Sequence, residues 1–219
     1  MLWGLKALEL SEPEWGHYLM DKINGFVESY ELLERYVPLF SDVFVLTYPF
    51  YLVFVYLWAA LMEKLEIKIA SLHIFFTVFF AGVCNQVVKL FVYKARPSDI
   101  ELSTEGLIFE NVPVRAFPSD HASVSMSMAL GTFLRGLYHK NIFFVISGIV
   151  FFVFSLIMSF ARIASWLHRV TDILVGWLIA LVVSFVLIKT PLYDILKEKL
   201  YKPLISLQVW LFSLVGIDR

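Results

Sequence analysis

Charge is what this chain has least of. Asp, Glu, Lys and Arg make up 17% of its 219 residues, against roughly 25% in soluble domains, which excludes an ordinary soluble enzyme. The 18 basic and 19 acidic side chains nearly cancel, so no global field recruits nucleic acid, and any specific partner must be met at a local site. Cysteine is all but missing. Cys84 stands alone, so no intrachain disulfide can form, the redox compartment is not readable, and its place in an apolar run suggests a buried thiol. Glycine-rich phosphate loops, carboxylate-rich motifs for two-metal hydrolysis and cysteine partners at metal-ligand spacing are also lacking. The N-terminus has no basic region, apolar segment and small-residue cleavage site in the order of a removable signal peptide, so none is expected.

What the chain does have is apolar length: 59% of its residues are hydrophobic and mean hydropathy is +0.76. The excess is gathered into runs. Val43–Met62 contains no charge and matches the roughly 20 residues that a helix needs to cross a hydrocarbon core. Ile69–Val88 follows after the short charged stretch Glu63–Lys68, which predicts an antiparallel hairpin. Lys89, Lys94, Arg96-Pro97, an acidic stretch to Glu110, Pro113 and Pro118 then interrupt any helix, giving a surface loop over 89–118. A third span starts at about Ser119, where Ser and Asp suit an N-cap, and carries Ser123, Ser127 and Gly131 as a small-residue packing stripe. The fourth runs from Ile142 to about Phe160 and the fifth from about Thr171 to Ile188.

The expected architecture is an all-α, integral membrane helical bundle of five spans with interfacial terminal helices. Residues 1–42 form an N-terminal segment with an amphipathic helix over 22–37; residues 43–188 form the membrane-embedded core; residues 189–219 form an interfacial tail. Leu204–Ile217 is short for a crossing, and a sixth span there is the alternative.

Antiparallel order puts the end of the second span, the start of the third and the junction of the fourth and fifth on one membrane face. The unusual polar residues lie at these three places: Lys89 with Arg96-Pro97, Pro118-Ser119-Asp120-His121, and Arg162 with His168 and Asp172. Singly, each has an innocuous reading as snorkelling cations, a helix cap or a hydrogen-bonded i,i+4 pair. Three such coincidences on one face are less economical than one anionic reaction site. Phosphoryl transfer fits: Lys89, Arg96 and Arg162 surround the phosphate oxygens, while Ser119 and the helix N-terminus add neutral donors and positive partial charge. His168 is the better nucleophile, because Asp172 can hold one ring nitrogen as N–H and leave the other lone pair for phosphorus. His121 remains as general acid for the departing oxygen. His73 reads as a packed helix residue, and His17 and His139 as surface groups.

The strings KLFVYKARP at 89–97, PSDH at 118–121 and ARIASWLHRVTD at 161–172 resemble the three-part signature KxxxxxxRP, PSGH and SRxxxxxHxxxD of the type-2 phosphatidic acid phosphatase superfamily. The resemblance covers about Ile69 to Ile188 and implies a phosphohistidine at His168, with His121 protonating the leaving group and then activating water. It implies no metal and no cofactor. Ala161 replaces the usual Ser, a loss that Ser165 or a backbone group can offset, and Asp120 replaces the usual Gly. The string FPSDH at 117–121, with Ile23-Asn24-Gly25 and Asn85, resembles the bacterial undecaprenyl diphosphate phosphatase branch. Asp120 can cap the third span, hold Arg115 or tune His121, and it should be hydrogen-bonded away from the phosphate.

The resemblance implies a bacterial inner (cytoplasmic) membrane enzyme whose partners are the bilayer and a phosphorylated lipid. Discounting the catalytic cations, Arg135, Lys140 and the basic tail belong in the cytoplasm, which puts the site on the outer, periplasmic face. Undecaprenyl diphosphate is the first-choice substrate, with lipid A 1-phosphate and phosphatidylglycerol phosphate as alternatives. A lipid phosphotransferase and, in another class, an anionic-lipid transporter or binding protein are the rival readings.

Overall fold

A computed structural model describes residues 8–97, 108 and 115–214. The acidic stretch through Glu110 and Pro113, and the last residues of the tail, lie outside the described residues. The elements run β1 (Leu8–Glu9), α1 (Glu14–Glu28), α2 (Glu31–Leu61), α3 (Leu65–Phe91), β2 (Val92–Tyr93), α4 (Asp120–Tyr138), α5 (Ile142–Ala164) and α6 (Val170–Lys189). The tail follows as α7 (Leu192–Leu196), a π-helical turn (Lys197–Tyr201) and α8 (Lys202–Leu214). The fold is all-α. Four helices, α2, α3, α5 and α6, are long and apolar enough to cross a membrane, which makes this a multi-pass membrane protein.

α4 is the helix the others enclose. It packs against α3, α5 and α6, and its Ser123, Ser125, Ser127 and Thr132 are fully buried. Small residues let its neighbours come close. A Cβ on Gly148 of α5 would meet the Phe133 backbone at 2.6 Å, and one on Gly131 would meet Thr77 of α3 at 3.3 Å. The expected packing stripe is therefore buried. The serine hydroxyls satisfy themselves locally, Ser127 donating to the Val124 carbonyl at 2.9 Å and Ser125 sharing a 2.9 Å hydrogen bond with Ser155 of α5. One apolar core joins α2 to α5 through Tyr48, Val55, Ile74, Met128, Phe144 and Phe151. The outward faces stay apolar, with Phe50, Phe54, Phe79, Ile146, Leu178 and Phe185 all exposed, as suits contact with lipid tails.

Three expectations need correction. The amphipathic helix over 22–37 is shared between two helices, because the chain breaks at Ser29-Tyr30, where Ser29 Oγ donates back to the Gly25 carbonyl at 2.6 Å and Tyr30 is extended. The domain boundary at 42/43 accordingly falls inside α2, which runs unbroken from Glu31 past Pro38 and Pro49. Cys84 is exposed on α3: an apolar run in a membrane helix supplies the lipid-facing surface as well as the core.

The terminal segments fold back onto the bundle. Met20 and Val27 of α1 pack on α5 and α6, while Tyr193, Tyr201 and Ile205 of the tail pack on Ile69 of α3. α7, the π-helical turn and α8 run on without a break from Leu192 to Leu214.

Candidate active site

The three polar strings do meet. Ser119 N–H donates to the Asp172 carbonyl at 3.1 Å, Asn85 Nδ2 donates to the Pro118 carbonyl at 3.2 Å, and Arg96 reaches both the Leu167 carbonyl and His168. The close approach of α6 to the start of α4 depends on Gly176, where a Cβ would sit 2.9 Å from the Ser119 carbonyl oxygen. Ser119 is the N-cap of α4, its hydroxyl accepting from Ala122 N–H at 3.4 Å. Its own N–H is therefore spent inside the protein, and the hydroxyl proton is what it can still offer.

His168 follows the left-handed turn at Trp166 (φ 54°) that ends α5. Its Nδ1 lies 3.4 Å from Asp172 Oδ2, and its Nε2 lies 3.4 Å from Arg96 Nη1. Asp172, at the third position of α6, also accepts from Arg169 N–H at 3.0 Å. The imidazole is thus held between a carboxylate on one nitrogen and a guanidinium on the other. Burial, reinforced by the charges of Arg162 and Arg96 and opposed by Asp172, lowers the His168 pKa to about 3, so the ring is neutral and keeps its lone pair at physiological pH. Burial first, then Arg162, also lowers the Arg96 pKa to about 10, which leaves its cation intact near neutrality.

The other expected residues have partners that the sequence does not announce. Lys89, in the last turn of α3, pairs with Asp120. The Asp120 carboxylate accepts further from Asn85 Nδ2 at 2.5 Å and from Gln86 Nε2 at 3.0 Å. It does not hold Arg115, which donates to the Lys89 carbonyl instead: Asp120 at the first position of α4 faces the end of α3, where a lysine and two amides converge. Arg162 Nη1 donates to Asp42 Oδ1 at 2.6 Å, and His121 Nε2 lies 3.2 Å from the same oxygen. Ser165, offered as a substitute for the serine absent at Ala161, has a buried hydroxyl without a hydrogen-bond partner among the described residues.

Sequence reasoning missed Glu12, Asp42 and Lys94. Lys94, fully buried, donates to Asp172 Oδ1 at 2.8 Å, to Glu12 Oε2 at 2.5 Å and to Thr171 Oγ1. Glu12 reaches this place because β1 pairs in parallel with β2, Leu8 opposite Val92, and because Gly16 has no Cβ, which would lie 2.1 Å from the Glu12 carboxylate. A buried lysine flanked by two carboxylates is well compensated, and the pair fixes the Asp172 oxygen that His168 does not use. Asp42 alone carried a readable signal, as an isolated acid next to an apolar run.

An apolar groove of about 890 Å³ runs along α3 beside α4, past Phe79, Val83, Val87 and Val124, and ends at Lys89, Arg115 and Asp120. A family model described as the PAP2 superfamily matches residues 70–195, more than half of the chain. No curated protein and no solved structure matches.

Proposed function

The chain belongs to the PAP2 superfamily, whose members are phosphatases, and from that premise we propose a metal-independent phosphatase of membrane lipids that works through a phosphohistidine. The observation that carries the reading is His168, oriented by Asp172 on Nδ1 and faced by Arg96 on Nε2. His168 Nε2 attacks phosphorus and forms the N–P bond as the P–O bond to the lipid breaks, and His121 gives the leaving oxygen its proton. Water then attacks phosphorus and passes a proton to His121; the N–P electron pair returns to His168, and inorganic phosphate leaves. Lys89, Arg96, Arg162 and Ser119 stabilise the charge on the phosphoryl oxygens. Asp120 competes with the phosphate for Lys89, and Arg115 lines the groove mouth beside it.

The groove supports a lipid substrate, since its apolar walls can take a tail while the polar end holds the head group. Undecaprenyl diphosphate, cleaved to the monophosphate, is the first choice; lipid A 1-phosphate and phosphatidylglycerol phosphate follow. A fifth crossing by α4 and a site on the outer face of a bacterial inner membrane complete the proposal, with Arg135, Lys140 and the tail lysines on the cytoplasmic side. The deciding experiment presents purified protein with a panel of phosphorylated lipids in chelator and measures released phosphate. Release restored only by one specific metal would contradict the mechanism. Transfer of phosphate to a second lipid in place of release would identify a phosphotransferase.

A further inference from the structure

Asp42 stands outside all three signature strings, yet it joins two of them. It lies at the start of the fourth turn of α2, 1% exposed, next to Ser41, whose hydroxyl turns back to the Pro38 carbonyl at 2.7 Å. A carboxylate so deep in a membrane-crossing helix is retained only when compensated. Arg162, 2.6 Å away, would suffice for that. The second contact is the informative one: the oxygen that accepts from Arg162 also lies 3.2 Å from His121 Nε2, so one carboxylate atom links a phosphate clamp to the acid.

Resting on the phosphatase reading above, we infer that Asp42 is the positioning residue for His121, holding the ring by Nε2 so that the proton exchanged with the leaving oxygen and then with water travels on Nδ1. Asp42 itself keeps its charge and exchanges no atom. His121 must become an imidazolium next to the Arg162 cation, and the Asp42 carboxylate offsets that repulsion. The arrangement parallels Asp172 and His168 but serves the second histidine.

The test compares full-length wild type with Asp42→Asn on two phosphate esters, phosphatidic acid, whose alkoxide leaving group needs a proton, and p-nitrophenyl phosphate, whose phenolate barely does. Asp42→Asn should lower kcat/KM on phosphatidic acid about 10²-fold, the low end of a general acid's contribution, and kcat/KM on the aryl ester less than about 10-fold, because this ratio reports phosphorylation and not the water step that both esters share. In a His121→Ala background the same substitution should cost nothing further. Equal kcat/KM losses on both esters, or a persistent further loss without His121, would overturn the inference and leave Asp42 as a neutraliser of Arg162. Should Asp42→Asn fail to fold, Asp42→Glu keeps Arg162 compensated while displacing the carboxylate, and an unchanged ratio between the two esters would overturn the inference equally. Wild type that hydrolyses neither ester would sink the phosphatase reading and this inference together, which is distinguishable from a wild type that hydrolyses both.

Discussion

Among the described residues, two places bury an arginine beside a histidine, and they differ in what accompanies the pair. At the candidate site Arg96 faces His168, Arg162 shares Asp42 of α2 with His121, and Asp172 of α6 contacts the other nitrogen of His168. Near the other end of α4, Arg135 is 0% exposed and rests on the ring of Tyr193 at 4.5 Å while donating to that hydroxyl at 2.8 Å. His73 there shares a 3.3 Å hydrogen bond with Tyr201. Among the described residues no carboxylate pairs with Arg135. A buried cation and an imidazole are therefore not enough. What distinguishes the first cluster is a carboxylate oxygen within 3.4 Å of each histidine, which on the proposed mechanism fixes the tautomer and stabilises positive charge.

Exchanging the two histidines breaks the comparison most directly. His168→Ala should abolish phosphate release in a protein that still inserts and folds, whereas His73→Phe should retain near wild-type turnover and lose about 1–3 kcal/mol of stability with the Tyr201 partner; equal losses of turnover would erase the distinction. Asp172→Asn comes next, with kcat reduced by about 10²–10⁴-fold, since an amide can present the wrong hydrogen-bonding face to His168. Wild-type rate in that variant would remove the dyad.

The buried cations give a contrast in stability. Lys94→Met strands Glu12 and Asp172, and should destabilise by about 3–5 kcal/mol, while Arg135→Met strands no carboxylate and should cost less. Thermal unfolding in detergent ranks the two, and a reversed order would show that the aromatic cage is the more valuable arrangement.

The pH profile sharpens the contrast further. Because burial and neighbouring cations push the His168 pKa down, its lone pair survives acidification and is lost only as pH falls towards that lowered value. Arg96→Ala removes one of the lowering charges, so the acid limb of kcat/KM should move to higher pH, on top of a lower plateau. An unmoved limb would detach Arg96 from His168. The smallest effects concern glycines: Gly176→Ala should cost about 1–3 kcal/mol by crowding Ser119, whereas Gly25→Ala, which meets nothing within 4 Å, should stabilise α1 by about 0.5–1 kcal/mol.

Lys89, Arg96, Ser119, His121, Arg162, His168 and Asp172 are readable in the sequence because each sits in a short string at fixed spacing, and antiparallel order brings the strings to one end of the bundle. Their partners are harder to read. Asp42 looks like the edge of a span, since a charge flanking an apolar run normally marks a boundary, and only the continuity of α2 from Glu31 shows it to be inside the helix. Glu12 is separated by 82 residues from Lys94 and by 159 from Thr171, and hydrophobic periodicity carries no information about so distant a pair. The break at Ser29 escapes for a related reason: apolar spacing continues across it, so periodicity marks no boundary there.

The pairing of Leu8 with Val92 and of Glu12 with Lys94 also bears on biogenesis. During synthesis the first dozen residues emerge long before the segments they join, and Thr171 comes later still. Until α6 has been made, Glu12 has only Lys94 of its two side-chain partners, and Asp172, which contacts His168, does not yet exist. On the proposed mechanism, an unfinished chain therefore has no oriented His168, and competence waits for α6 to be completed.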